Sequence, residues 1–106
     1  MNFIVQFAPE VLDQLDAIEA YIAPAGSTRV ATDYVDAIVA YYESLATFPQ
    51  RGIQRDDVLD GLRISNYRHH VVIAFMVDAD ARIVSVVGVF YGGQDYEASL
   101  LEMAKE

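Results

Sequence analysis

The sequence contains no cysteine, which excludes disulfides, thiolate chemistry and zinc–thiolate sites. A phosphate-cradling loop is also missing, because Gly92-Gly93 is followed by neither a third glycine nor a Lys-Ser/Thr pair. No group of His, Asp and Glu has the spacing of metal ligands, and no serine lies in a nucleophile elbow. The sequence therefore predicts no metal and no cofactor.

A long apolar run is absent as well. Gln6 interrupts the apolar stretch Phe3–Phe7, and no basic residue precedes it, so the pattern fits neither a signal peptide nor a membrane span. A chain of 106 residues matches the commonest domain size. We expect one domain over residues 1–106, a cytoplasmic location and no membrane partner.

Positive charge is scarce, since seven Lys and Arg face sixteen Asp and Glu, for a net charge of −9. Such a surface repels nucleic acid as a whole, so we expect no direct DNA binding by this chain alone. Four of the seven cations are Arg51, Arg55, Arg63 and Arg68, and Lys105 is the only lysine. This local concentration of charge indicates a binding surface.

The hydrophobic period changes along the first half of the chain. Alternating apolar residues in Phe3–Phe7 predict a strand, and a helical period follows from Pro9, which suits a first helical turn. Pro24–Gly26 ends that helix, and Ser27 or Thr28 caps a second one. So short a connection predicts an antiparallel helix hairpin. Its apolar stripes are Val11, Leu15, Ile18 and Ile22, then Ala31, Tyr34, Val35, Ile38, Tyr42 and Leu45.

The second half of the chain is rich in strand signals. Polar turn formers predict a loop from Pro49 to Asp60, and strands are predicted at Leu62–Ser65, Val71–Val77 and Ile83–Phe90. The middle strand is apolar almost throughout, so both of its faces should be covered, one by the hairpin and one by another element. Asp95 is a candidate N-cap for a last helix. The fold class is α+β.

Several short motifs follow one another in an order typical of one family. They are Phe7-Ala8-Pro9-Glu10, Leu45-Ala46-Thr47-Phe48-Pro49, Arg51-Gly52, Gly61-Leu62-Arg63, Tyr67-Arg68 and Gly92-Gly93-Gln94-Asp95. With the order of elements, they make the chain resemble the RelE/ParE toxins of type II toxin–antitoxin systems, and Phe48-Pro49 and Gly61-Leu62-Arg63 resemble the ParE branch. The resemblance implies an N-terminal strand, an antiparallel helix hairpin, a three-stranded antiparallel meander completing one sheet, and a short C-terminal helix.

The resemblance also implies a function and partners. ParE-like toxins inhibit DNA gyrase by protein binding, without enzymatic activity. A ParD-like antitoxin of the ribbon–helix–helix type neutralises them as a hetero-oligomer, with its C-terminal segment wrapped around the toxin. Target-binding candidates are Arg51, Arg55, Arg63, Arg68 and Asp95.

Aromatic residues are abundant, with seven Tyr and five Phe, and such residues are favoured interface anchors. Acidic residues on the first helix predict that the antitoxin segment is apolar with basic residues. The antitoxin-binding candidates are Leu12, Asp16, Glu19, Tyr34, Tyr41 and Tyr42.

Two alternatives stay open. A RelE-like, ribosome-dependent mRNA endonuclease would need a base, an acid and fixed cations, for which Arg63, Arg68 and Tyr91 are the catalytic candidates. His69 and His70 are expected on opposite faces of a strand, so at most one of them joins such a site. The arginines have a structural alternative, ion pairing to the acidic residues Asp56, Asp57 or Asp60.

The last motif departs from the family pattern. Where members commonly carry a histidine and then a basic pair, this chain has Tyr91-Gly92-Gly93-Gln94. This departure favours a second alternative, a degenerate member that binds its antitoxin but poisons nothing.

Overall fold

The computed structural model of the protein describes residues 2–68 and 70–104. His69 and Lys105 lie outside the described residues. No helix within those ranges is both long and apolar enough to cross a bilayer. The elements are β1 (Ile4–Phe7), α1 (Pro9–Ile22), α2 (Thr28–Glu43) with a 3-10 turn at Ser44–Ala46, β2 (Ile53–Gln54), β3 (Leu62–Tyr67), β4 (Val71–Asp78), β5 (Ile83–Tyr91) and α3 (Tyr96–Ala104).

The strands form one sheet in the order β1-β5-β4-β3-β2. β3, β4 and β5 make an antiparallel meander, and β1 joins its outer edge parallel to β5. The predicted α+β architecture is confirmed. β1 and β5 are far apart in sequence, with the helix hairpin, β2, β3 and β4 between them, and so long a connection permits their parallel pairing.

The helix hairpin covers one face of the sheet. Val11 and Ile38 are fully buried there against Phe75 of β4, in the larger of two apolar clusters. The Ser27 hydroxyl accepts a hydrogen bond from the Val30 N–H at 3.1 Å, so the predicted cap of α2 is present.

The opposite face carries the smaller cluster. Leu100 of α3 is 1% exposed and packs there with Val58, Phe90 and the inward residues of β3. The expected second cover of the central strand is therefore α3 together with the segment before β3.

The structure corrects three local predictions. The expected loop from Pro49 to Asp60 contains β2, whose Ile53 pairs with Ile64, and β3 extends two residues beyond its predicted end. Gly52 explains β2, because its φ of +82° brings the backbone against the Ile64 carbonyl, where a side chain has no room. His70 lies in the turn between β3 and β4 rather than in a strand.

Candidate functional site

Arginine and tyrosine side chains meet on the helix-hairpin side of β3. Alternate residues of a strand share a face, so Arg63, Ser65 and Tyr67 project together toward the C-terminal end of α2. Tyr41 of α2 lies over them, and Arg51 approaches from the loop after α2. With Arg68, these residues define what we call the arginine–tyrosine surface.

Hydrogen bonds and ring contacts fix this surface. The Tyr41 hydroxyl is 2.5 Å from the Ser65 hydroxyl, and the Tyr41 and Tyr67 ring centroids are 5.0 Å apart. The Arg51 guanidinium carbon lies 5.1 Å from the Tyr41 ring centroid, and that of Arg68 lies 5.3 Å from the Tyr67 centroid. Each cation therefore rests on an aromatic face, an arrangement that holds arginines in place without a carboxylate.

The side chain of Arg63 holds the loop before β2. Its Nη2 donates to the Gln50 carbonyl at 2.6 Å, and its Nε donates to the Arg51 carbonyl at 3.1 Å. These acceptors are backbone carbonyls rather than the carboxylates of the structural alternative, ion pairing to Asp56, Asp57 or Asp60. Its donors point into the protein backbone.

Arg55, one of the target-binding candidates, is bonded within the protein. Its side chain is 19% exposed and bonds Asp57 at 2.9 Å and Glu97 at 3.1 Å, and it also donates to the Tyr96 hydroxyl. The hydrogen bond with Asp57 raises the pKa of Arg55 and lowers the pKa of Asp57. The Asp95 carboxylate accepts a hydrogen bond from the Ala98 N–H at the start of α3, so the predicted N-cap of this helix is present.

Tyr91 belongs to a separate cluster of rings. Its centroid lies 5.4 Å from that of Tyr21, 5.9 Å from that of Tyr34 and 6.3 Å from that of His70. The Tyr34 hydroxyl is buried with no hydrogen-bond partner in the described part of the chain, and burial raises its pKa.

The register separates this tyrosine cluster from Arg63. Tyr91 is level with Val71 and Tyr67, whereas Arg63 is level with Phe75, four residues further along the strands. That offset is about 13 Å along the strand direction. The structure therefore does not bring the catalytic candidates Arg63 and Tyr91 into one site, although Arg68 lies at the Tyr91 end.

The predicted antitoxin-binding residues divide between different surroundings. Leu12 is 52% exposed and Asp16 is also exposed on α1, whereas Glu19 is partly covered. Tyr34 and Tyr41 pack against the sheet as described. Tyr42 is 3% exposed in the main core, where burial raises its pKa.

Sequence reasoning missed Ser65 as a member of the arginine–tyrosine surface. It is 4% exposed, and Tyr41 satisfies its hydroxyl. In the sequence, the signal for Ser65 is the alternation of Arg63, Ser65 and Tyr67. It places three side chains that can form hydrogen bonds on one face of the strand. Among residues 2–68 and 70–104, no group of three His, Asp or Glu side chains is arranged to hold a metal ion.

Comparisons with known proteins agree with this architecture. The family model described as the ParE toxin of type II toxin–antitoxin system, parDE, matches residues 5–96. A search of curated proteins found no significant match.

Three solved structures are similar to the chain. A chain of the chromosomal ParDE system from P. aeruginosa has a TM-score of 0.71 at 17% identity, over 84% of this chain and 95% of that one. One from the RelBE2 toxin–antitoxin complex of Mycobacterium tuberculosis has a TM-score of 0.62 at 16% identity, over 87% and 100%. A mutant of E. coli toxin RelE in the free state has a TM-score of 0.65 at 9% identity, over 98% of both chains. At these identities the structures show a shared fold.

Proposed function

This chain belongs to the ParE toxin family of type II toxin–antitoxin systems, and from that premise we propose that it inhibits DNA gyrase by binding to it. A cognate antitoxin neutralises it by forming a hetero-oligomer. Because gyrase acts on chromosomal DNA, this function places the protein in the cytoplasm.

The main support for binding rather than RNA cleavage is how the cations are used. Cleavage needs a base, an acid and cations that converge on one phosphate. The guanidinium of Arg63 instead donates hydrogen bonds to backbone carbonyls, and Arg55 binds Asp57 and Glu97. Tyr91 lies about 13 Å away from Arg63 along the strands.

The arginine–tyrosine surface supplies the chemistry of a protein interface. Arg51 rests between the rings of Tyr41 and Phe48, and Phe48 is 60% exposed beside it. Arg68 is exposed to solvent, and its guanidinium lies over the Tyr67 ring. Arginine and aromatic side chains are enriched among the residues that dominate interface energies. We therefore assign target binding to Arg51 and Arg68.

The antitoxin is proposed to be ParD-like, of the ribbon–helix–helix type. The exposed side chains of Leu12 and Asp16 on α1 offer an apolar contact beside a negative charge. A segment combining apolar and basic residues complements both, and the net charge of −9 favours its approach.

A gyrase supercoiling assay with the purified chain tests the target. We expect inhibition that the antitoxin relieves, and a loss of at least five-fold in potency for Arg68→Asn, since asparagine tolerates the positive φ of 54° at this position. Arg29→Asn is the matched control, because Arg29 is 90% exposed on α2 and the charge change is identical.

Three results would contradict the proposal. Equal losses of inhibitory potency for Arg68→Asn and Arg29→Asn would show that the arginine–tyrosine surface does not bind gyrase. Active gyrase together with cleaved mRNA in a translation reaction would indicate the RelE-like activity. No effect in either assay, with antitoxin binding retained, would indicate a degenerate member.

A further inference from the structure

The loop Phe48–Gly52, which leads into β2, is held by a single guanidinium. Arg63 of β3 donates from Nη2 to the Gln50 carbonyl at 2.6 Å and from Nε to the Arg51 carbonyl at 3.1 Å. Its Nη2 also lies 3.4 Å from the Gly52 carbonyl. Three successive carbonyls therefore face one cation. Loops move because few contacts restrain their backbones, so these contacts hold this loop in one conformation.

The loop presents a cation and an aromatic ring together. The Arg51 guanidinium carbon lies 5.1 Å from the Tyr41 ring centroid and 5.4 Å from that of Phe48, which is 60% exposed. Arg51 Nη1 donates to the Ser44 hydroxyl at 2.8 Å, and no carboxylate pairs with this arginine in the described part of the chain. Arg51 therefore has N–H groups left for an acceptor outside the chain, beside an exposed apolar ring.

An open groove runs along the loop. Residues 47–51 line it, and its volume is about 590 Å³. Phe48 and Pro49 give the groove apolar surface, and Arg51 gives it positive charge. A ligand that complements the groove combines an apolar side chain with a negative charge.

The surroundings of the groove lack acidic residues, although the chain has sixteen of them. Segments 44–55 and 62–68, which contain the loop and β3, have no Asp or Glu but four of the seven cations. The net charge of −9 repels an extended polyanion such as nucleic acid. The local excess of positive charge still attracts a short acidic segment of a protein.

We propose that the loop Phe48–Gly52 binds an acidic segment of the target protein, and that Arg63 positions the loop for this contact. The Arg51 guanidinium binds a carboxylate of the segment, and an apolar side chain of the segment packs on Phe48. Arg63 does not touch the target. Its carbonyl contacts hold Arg51 and Phe48 in the binding arrangement before the partner arrives, which lowers the entropy cost of association. The identity of the target rests on the function proposed above.

Binding to purified gyrase, measured by titration calorimetry, tests the loop. We expect Kd to rise about ten-fold for Phe48→Ala, because aromatic anchors dominate interface energies. Tyr21→Ala is the matched control, since it removes a ring that is 71% exposed on α1. This control should change Kd by less than about two-fold. Circular dichroism establishes that both variants are folded.

Salt tests the charge of the segment that binds the loop. Between about 50 and 300 mM NaCl the affinity of the wild-type chain for gyrase should fall, and it should fall less for Arg51→Gln, which lacks the ion pair. Arg29→Gln is the matched control, because it makes the same charge change at a side chain that is 90% exposed on α2. Labelled duplex DNA and a labelled RNA hairpin are the nucleic-acid probes, and fluorescence anisotropy should show no binding that depends on Phe48.

A double-mutant cycle tests the positioning role of Arg63. Arg63→Lys keeps the charge, but one ammonium group cannot reproduce the fork of donors that faces the three carbonyls, so Kd for gyrase should rise about five-fold. If Arg63 acts through the loop, Arg63→Lys should add about two-fold or less when Phe48→Ala is already present. A general loss of stability would instead give the same factor in both backgrounds.

The outcomes separate this proposal from the function on which it rests. If the wild-type chain does not bind gyrase, the proposed target is wrong and the proposed contact fails with it. If the wild-type chain binds and Phe48→Ala or Arg51→Gln behaves like its control, the loop is not the binding element, while gyrase remains the target. Full additivity of Arg63→Lys and Phe48→Ala would overturn the positioning role. Nucleic-acid binding that Phe48→Ala weakens would overturn the assignment of a protein segment to the groove.

Discussion

Replacement of Leu100 by alanine should reveal how firmly α3 is joined to the rest of the fold. Leu100 is 1% exposed and packs in the smaller apolar cluster against Phe90 and Val58. Leucine-to-alanine changes at buried positions cost about 2–5 kcal/mol, because transfer free energy is lost and a cavity remains. That is a large part of the roughly 5–15 kcal/mol by which domains are stable.

Urea unfolding followed by circular dichroism measures this loss. With a slope of about 1–3 kcal/mol per molar urea, the midpoint for Leu100→Ala should fall by on the order of 1–2 M. Leu101→Ala is the matched control, since the adjacent leucine is 45% exposed and should lose less than about 1 kcal/mol.

Equal midpoints for Leu100→Ala and Leu101→Ala would refute the reasoning. Such a result would mean that α3 separates from the sheet before the protein unfolds, so that packing at Leu100 contributes nothing to the cooperative transition. An unchanged slope is also required, because a changed slope indicates a change in compactness rather than a lost contact.

Two further predictions concern the loop around β2. Gly52→Ala should lower the melting temperature more than Gly92→Ala. Both glycines have positive φ, which costs alanine about 1–2 kcal/mol, but of the two only Gly52 would place the new Cβ 2.2 Å from a backbone oxygen. Equal melting temperatures for the two variants would contradict this prediction. The lowered pKa of Asp57 means that the unfolded chain binds more protons than the folded one, so its contribution to stability is present above about pH 4 and is lost as the pH falls through the folded-state pKa. Acid unfolding should accordingly be less steep for Asp57→Asn than for the exposed control Asp36→Asn, and identical curves would exclude the pair with Arg55.

Local sequence patterns predicted most of the fold. The change from strand to helix period at Pro9, the break at Pro24–Gly26 and the cap at Ser27 depend on neighbours within a few residues, and each is present in the structure. The short strand β2 was not predictable in this way. Its two residues form a strand because β3 offers an edge and Gly52 allows close approach, and both conditions are non-local.

The sequence singled out the residue types of the candidate site but not the contacts that these residues make. The sequence singled out Arg55 as a cation near other cations, yet its partner Glu97 lies 42 positions further along the chain. Tyr41 and Tyr42 are adjacent on α2, but Tyr42 enters the core and Tyr41 reaches Ser65. Residue spacing identifies which face of a helix is apolar. The position of the helix over the sheet decides which residues near that face are buried.

The sequence alone determined the α+β order of elements, the acidic charge, the absence of cysteine and the family, because these depend on composition and on short-range pattern. Only the tertiary structure decided that Arg55 and Arg63 bond within the protein, whereas Arg68 is exposed over the Tyr67 ring. It also decided that β5 extends past β1, where Gln14 and Gln94 accept the hydrogen bonds of the Val89 and Tyr91 N–H groups. The physical reason is that hydrogen-bond partners are assigned by distance in space, and folding brings together residues that the sequence keeps far apart.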